Sequence, residues 1–508
     1  MVKSGRRAVF GSASIWIVLA TAPLTAAPAP PGPSDLALLD ALTWGASPTS
    51  FSALRAQGRE AWLSAQLHPA ATMTLPHGAQ SQIEDAQPKG PLIERIAALD
   101  AQAKAANALT DPDAKKAALA TYQGALNDAL RQSVAATILR ALYAPDQVRE
   151  RMTWFWFNRF NVHQGKANLR ALVGDYLDTA IRPHALGRFR DLLGATLEHP
   201  AMLRYLDNAE NAVGRINENY ARELMELHTL GVGGGYSQHD VEELARILTG
   251  ACIDARPENP KVKPELQDRI VRRGLFLFNP ARHDDGDKVL LGHTIRGRGF
   301  DEIGEALDIL SRHPATARNV TRAMAGYLMG RPPSDALVER LAEIYQRRDG
   351  DIAAILDALI HAPEFADAAG KGFKDPVRYV FSALRLAYDD RVIRNTAPVQ
   401  GWLNRLGEGL FNRSTPDGYP LDAAAWNGPG QLTTRFEIAR QIGSGPSGLF
   451  KPALPDAVEE PAFPLLQNAL YFGPLAATLT AQTKMALSRA VSPQDWNTLF
   501  LSSPEFMQ

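Results

Sequence analysis

Glu198 to Gly250 reads EHPAMLRYLDNAENAVGRINENYARELMELHTLGVGGGYSQHDVEELARILTG. Tyr220, Leu224, Met225 and Leu227 recur at helical spacing, so a helix is expected from Asn217 onward. Gly231 suits the left-handed position that ends it, and Gly233-Gly234-Gly235 suits a bend. Ser237 and Asp240 then open a second helix as a capping box, with aspartate where glutamate or glutamine is usual. The unit is a helix–loop–helix, and Asn217, Glu218, Asn219, Arg222, Glu223 and Glu226 all lie inside it. An unpaired polar group in a core costs about 1–3 kcal/mol. These side chains are therefore expected to be sheltered and to meet one another in a satisfied network, a site, or both.

Helical periodicity dominates on both sides of this unit. Leu36, Leu39, Leu42 and Trp44 begin it, and Phe51, Leu54, Trp62, Leu63 and Leu67 continue it. Residues 91–143, rich in Ala, Lys, Gln and Asp, suit a long helical hairpin broken near Thr110-Asp111-Pro112, where an N-cap precedes a proline. Trp154, Phe155, Trp156, Phe157 and Phe160 crowd one short run that reads as a central core helix. Residues 273–295 depart from the pattern. Leu275 to Phe278 and Val289 to Leu291 are strand-like and flank Asp284-Asp285-Gly286-Asp287, so one β-hairpin is expected there. Residues 406–464 are Gly- and Pro-rich and read as long irregular loops. Phe189 to Pro200, Ile352 to Phe365 and Leu499 to Phe506 share a pattern of apolar helix and proline that suggests a repeated unit. The expected fold class is mainly α: a multi-helical single body over residues 35–508, with a small β-hairpin and long Gly/Pro-rich loops near the C-terminus.

Residues 1–26 read as an export signal, with Lys3, Arg6 and Arg7 before an apolar core from Ala13 to Ala22 and a small-residue exit at Leu24-Thr25-Ala26. A proline-rich linker follows over 27–34. The apolar run is shorter than the roughly 20 residues a membrane span requires, and no later segment qualifies. Arg6 and Arg7 leave the route open between general secretory and twin-arginine export. The mature chain is expected in the periplasm or outside the cell. Basic and acidic side chains number 54 and 55, and loss of Lys3, Arg6 and Arg7 makes the remainder more acidic. That balance argues against nucleic acid or an anionic membrane surface as a partner. Cys252 is the single cysteine; it permits no internal disulfide and reads as a small buried hydrophobe.

Within the central unit, Asn219, Arg222, Glu223 and Glu226 share one helical stripe, and Glu218 and Arg222 are spaced to pair. One reading is an Arg–Glu–Asn network that pins helix packing. The other is a site: two carboxylates a turn apart beside a guanidinium suit a divalent metal or an acid–base pair. Catalytic candidates are then Arg222, Glu223, Glu226 and His228. Binding candidates are Asn208, Asn217, Glu218 and Asn219, and metal-ligand candidates are Glu223, Glu226 and His163, with His199 and Asp207 also near. Glu223-x-x-Glu226 lacks the histidine of carboxylate-bridged di-metal bundles. His283 to Lys288 lacks the calcium-loop spacing and reads as a solvated turn. His313-Pro314 reads as a helix start with Arg318 reaching inward. Serine-hydrolase elbow, Walker, haem-attachment and His-Glu-x-x-His motifs do not occur. Trp154 and Trp156, or the loops near Trp402 and Trp426, offer a carbohydrate-binding alternative.

ENYARELMELHTLGV, preceded by AMLRYLDN and followed by HDVEELARILTG, resembles the bacterial family labelled domain of unknown function 1800. TWFWFNRFNVH, LGRFRDLL, FNPARHDDGDKVLLG, HPATARN, the terminal SPEF and the early ALTWGASPTSFSALRAQGREAWLSAQLHP carry the same resemblance. It implies an exported, helical protein, often encoded beside a second exported family, domain of unknown function 1501, which is sulfatase- or phosphatase-like in fold. The family motif maps onto Asn217, Glu218, Asn219, Arg222, Glu223, Glu226 and Gly231, with His228 where phenylalanine or histidine is found. No settled reaction comes with it. The expected function is a cell-envelope binding or assembly factor. The alternatives are a metal-assisted hydrolase or oxidase using Glu223 and Glu226, and a carbohydrate-binding protein.

Overall fold

The aromatic run forms the helix Gln147–Arg159, and its rings sit at the centre of the molecule. Trp156, Phe157 and Phe160 are fully buried, and the Trp156 indole N–H donates to the Ala185 carbonyl at 2.9 Å. That bond removes the one polar cost of placing tryptophan in a core. The computed structural model describes residues 1–2, 34–70, 74–452, 458–460 and 462–508. The expected export signal and linker lie outside the described residues, apart from Met1, Val2 and Ser34. One apolar cluster runs from Leu38 to Met507, so helices from both ends of the chain share a single core.

Asp111 caps the second arm of the helical hairpin. Its carboxylate accepts the Ala114 N–H at 2.7 Å, Pro112 takes the first helical position, and the helix continues to Tyr143. The first arm is Leu92–Ala108. No helix among the described residues is long and apolar enough to cross a membrane.

The expected single β-hairpin is replaced by two small antiparallel sheets. β1 (Ala251–Ile253), β2 (Val271–Arg273) and β3 (Phe276–Phe278) form one sheet in the order β1-β3-β2. β4 (Lys288–Leu290) pairs instead with β5 (His293–Ile295). The Leu291-Gly292 turn sets this pairing, since both residues have positive φ, 49° and 79°, as a tight hairpin turn requires. β3 is buried along its whole length and finds its main partner in the stretch after the Gln238–Ile247 helix. Cys252 lies in β1, buried and reduced.

The repeated unit has a structural counterpart. Arg188 and Asp351 form an isolated antiparallel bridge. The Phe189 N–H donates to the Gly350 carbonyl and the Ile352 N–H to the Gly187 carbonyl, both at 2.9 Å. Phe189–Glu198 and Ile352–Ile360 thus start from one locally two-fold junction, and each is followed by a proline-led short helix, Pro200–Tyr205 or Pro363–Ala368. Pro493–Leu501 followed by Pro504–Met507 closes the chain in the same manner.

Two further expectations change. Residues 406–464 contain a 16-residue helix, Pro429–Ser444, that packs on Pro493–Leu501. Gly430, Thr433 and Thr434 near its start hide it from a propensity reading. Arg318 does not reach inward; it pairs with Glu339 at 2.9 Å on the surface.

Candidate functional site

The motif segment is a short α-helix, Asn219–Glu223, that widens into a π-helical turn, Leu224–His228. Such turns occur frequently at functional sites. Gly231 ends it at φ 86°, donating its N–H to the Met225 carbonyl at 3.1 Å. Tyr220, Ala221, Leu224, Met225 and His228 are buried, and they occupy the whole inward stripe. Asn217, Glu218, Arg222, Glu223 and Glu226 are half-buried and Asn219 is exposed. The sheltered network expected from the sequence is therefore corrected: the polar side chains face outward because the apolar ones between them fill the core side.

These groups divide into scaffold and free face. Glu218, Arg222 and Gln238 form a closed triangle: Arg222 donates to Glu218 at 3.0 Å and to Gln238 at 2.8 Å, and Gln238 donates to Glu218 at 2.8 Å. That triangle fastens the motif to the next helix. Asn217 accepts the Asn219 N–H at 3.0 Å, and its own N–H goes to the Asn211 side chain at 2.9 Å. Asn208 and Asn211 are buried, with their amides spent on the Leu248, Ala251 and Ala245 carbonyls. Asn208, a binding candidate in the sequence, is thus a structural residue.

Glu223 makes no hydrogen bond or ion pair with any described residue, and Glu226 lies beside the Tyr236 hydroxyl. Burial and then the Glu226 carboxylate push the Glu223 carboxyl above its ordinary range; Asp417 adds to this and Arg222 opposes it. Burial, Asp417 and Glu223 push Tyr205 up to about 12. Glu223, Glu226 and Asp417 thus share one face with Tyr205 and Tyr236.

Asp417 arrives on the loop 411–419, which the aromatic helix and the residues after it hold in place. The Asn158 side chain accepts the Tyr419 N–H at 2.6 Å and donates to the Tyr419 carbonyl at 2.9 Å. Asn161 donates to the Arg413 and Thr415 carbonyls at 2.9 and 2.8 Å, and the Tyr205 hydroxyl donates to the Ser414 carbonyl at 2.8 Å. Gly418 has φ 74°, and a Cβ there would stand 2.1 Å from the Asn158 carbonyl oxygen. Arg413 and Asp417 pair at 3.1 Å within the loop. Sequence reasoning missed Asn158, Asn161, Tyr205, Tyr236, Arg413 and Asp417. The only signal was the polar NRFNVH that follows the aromatic run.

The histidines do not gather at this face. His163 is half-buried and forms no close ligand group with Glu223 and Glu226. His228 is buried among Phe160 and Tyr220, its two ring nitrogens without a hydrogen-bond partner among the described residues. Burial and then Arg159 push its pKa down to about 3, so it is neutral at physiological pH. His199 bonds Asp175 at 3.0 Å, and Asp207 pairs with Lys166 at 2.7 Å.

Among the described residues, the ligand-type group that closes within 4.8 Å is His283, Asp285 and Glu302. Its charges are already matched. Glu302, fully buried, accepts from His283, Lys288 and the Arg298 and Gly299 N–H groups. Asp284, Asp285 and Asp287 pair with Arg246, Arg269 and Arg296 respectively. The turn keeps Asp285, Gly286 and Asp287 exposed, as expected of a solvated turn, but its flanks are anchored by buried His283 and Lys288. Trp154 and Trp156, expected as a sugar-stacking platform, are corrected: both are buried and present no open face, and Trp402 and Trp426, beside the loops of the same alternative, are buried as well.

No curated protein and no solved structure shows a match to this chain. A family model matches residues 37–508, nearly the whole sequence. The chain belongs to the family described as "Protein of unknown function (DUF1800)".

Proposed function

We propose that the protein is an exported cell-envelope binding or assembly factor whose recognition surface is the carboxylate face of Glu223, Glu226 and Asp417. The observation that carries this reading is Glu223: half-buried, without a hydrogen-bond or ion-pair partner among the described residues, and with its carboxyl pushed above the ordinary range beside two like charges. Such a face is poorly satisfied alone and is relieved by a partner of positive charge, which gains orientation as well as affinity. The pinned loop 411–419 supports the same reading, because it presents Asp417 without conformational cost at binding. Export rests on the N-terminal signal pattern. The partner to try first is the second exported family that the resemblance brings with it, domain of unknown function 1501.

Isothermal titration between the two purified proteins tests this. The combined Glu223→Gln, Glu226→Gln and Asp417→Asn variant is expected to bind at least about tenfold more weakly, a loss of about 1.4 kcal/mol. Unchanged affinity in a folded variant removes the face from the function. A metal-assisted hydrolase or oxidase is the second reading, favoured by the raised Glu223 carboxyl beside Glu226, an arrangement suited to splitting acid and base roles. A divalent metal would then sit on Glu223 and Glu226. Metal analysis of the purified protein separates the two: stoichiometric metal, lost on Glu223→Ala with the fold intact, supports the enzyme.

A further inference from the structure

Two clefts of about 300 and 500 Å³ open on either side of Leu92, and both are lined by Leu92, Asp175 and Thr179. They form one groove under the first turn of the Leu92–Ala108 helix, floored by the π-helical segment Tyr176–Ile181. Volumes of this order are those of small-molecule sites. Most charges in the groove are closed on one another. Arg140 holds both oxygens of Asp178, at 2.8 and 2.9 Å, and Arg273 holds both oxygens of Glu198, at 2.7 and 2.6 Å.

Arg95 and Asp175 are the exceptions. Arg95 lines the groove without a hydrogen bond or salt bridge from its side chain to any described residue, and its Nε is shut off from solvent with no acceptor. Asp175 accepts the His199 Nε2–H at 3.0 Å and the Thr179 hydroxyl at 3.3 Å on one oxygen, Oδ2; its Oδ1 accepts no hydrogen bond from the described residues. His199 cannot turn away, because its Nδ1 accepts the Ala201 N–H at 3.1 Å and caps the Pro200–Tyr205 helix. This fixes the imidazole as a neutral donor at Nε2, rules it out as a base, and orients the Asp175 carboxylate. Despite burial, the His199 bond keeps Asp175 below its ordinary pKa, so the carboxylate is charged.

We infer that the groove binds a small zwitterion of the α-amino-acid class, its carboxylate on Arg95 and its ammonium on the open Asp175 oxygen. A lone anion would meet the Asp175 carboxylate and a lone cation the Arg95 guanidinium, whereas a ligand with both charges satisfies both. Ile83, Leu92, Ala136 and Leu177 supply apolar wall for a side chain. None of these residues belongs to the carboxylate face, so the inference stands without that reading.

Calorimetric titration of the purified protein with glycine and L-leucine tests it, with acetate and methylamine as ligands of one charge each. Saturable binding of an amino acid is expected, with each one-charge ligand at least tenfold weaker. Arg95→Gln, which removes no side-chain hydrogen bond or salt bridge to a described residue, is expected to lose at least tenfold in affinity with the protein still folded; Asp175→Asn is expected to lose as much. No saturable binding of either amino acid, acetate binding equal to glycine, or full affinity in Arg95→Gln would each overturn the assignment.

Discussion

Glu223 is costly where it stands, and its cost has a pH signature. A carboxyl raised in the folded state contributes stability while protonated, below its unfolded pKa, and loses that contribution as pH rises through its folded value. Glu223→Gln is therefore expected to raise the melting temperature by about 1–2 °C at neutral pH, a gain that disappears under acid conditions. Scanning fluorimetry from pH 4 to 8 reads this directly, and a lower melting temperature at neutral pH would contradict it. His228 behaves in the opposite sense. Its folded pKa is depressed to about 3, so stability is full above the ordinary histidine value and is lost as pH falls through that window. An imidazole without partners in an aromatic pocket also forfeits about 1–3 kcal/mol of hydrogen bonding. His228→Phe is expected to stabilise the protein, increasingly so at lower pH, in chemical denaturation series. Equal or reduced stability would mean that the ring nitrogens are satisfied after all.

Local signals located the elements well where they depend on backbone chemistry. Asp111-Pro112, Ser237-x-x-Asp240 and His313-Pro314 each open a helix, because a side-chain acceptor followed by proline or a reciprocal cap acts within one turn. What stayed hidden depends on distant contacts. Whether β3 pairs with β1 or β4 is decided by which strand lies alongside, which short apolar runs do not reveal. The orientation of the motif polar stripe was legible but misread: Tyr220, Leu224, Met225 and His228 already define the inward side. Asp417 was not legible, since residues from across the fold, Asn158, Asn161 and Tyr205, hold its loop at the motif. Gly418→Ala tests that loop. It places a methyl group against the Asn158 carbonyl at a positive φ, and a loss of about 1–3 kcal/mol is expected in urea unfolding. A neutral result would show the loop to be held elsewhere.

The molecule as a whole is tied together by charges as well as by its core. Asp40, in the first described helix (Asp35–Leu42), meets Arg378 at 2.6 Å and Lys374 at 3.4 Å, both side chains buried. Removing the carboxylate leaves two interior cations without their counter-ion. Asp40→Ala is therefore expected to cost about 3–5 kcal/mol in denaturant unfolding; a loss under 1 kcal/mol would mean water reaches them. Fold class followed from periodicity alone, because an all-helical pattern over hundreds of residues leaves few alternatives. Function did not, because the outward face of a helix records what is exposed and not what docks there.

Carbodiimide labelling of carboxyl groups, read residue by residue in the free protein and after adding the exported partner, probes the proposed face most directly. Glu223 and Glu226 are expected to react in the free protein and to be protected in the complex, while Asp40 and Glu302, enclosed by their cations, stay unreactive throughout. Glu223 and Glu226 inert in the free protein, or equally reactive with and without a bound partner, would contradict a recognition surface there.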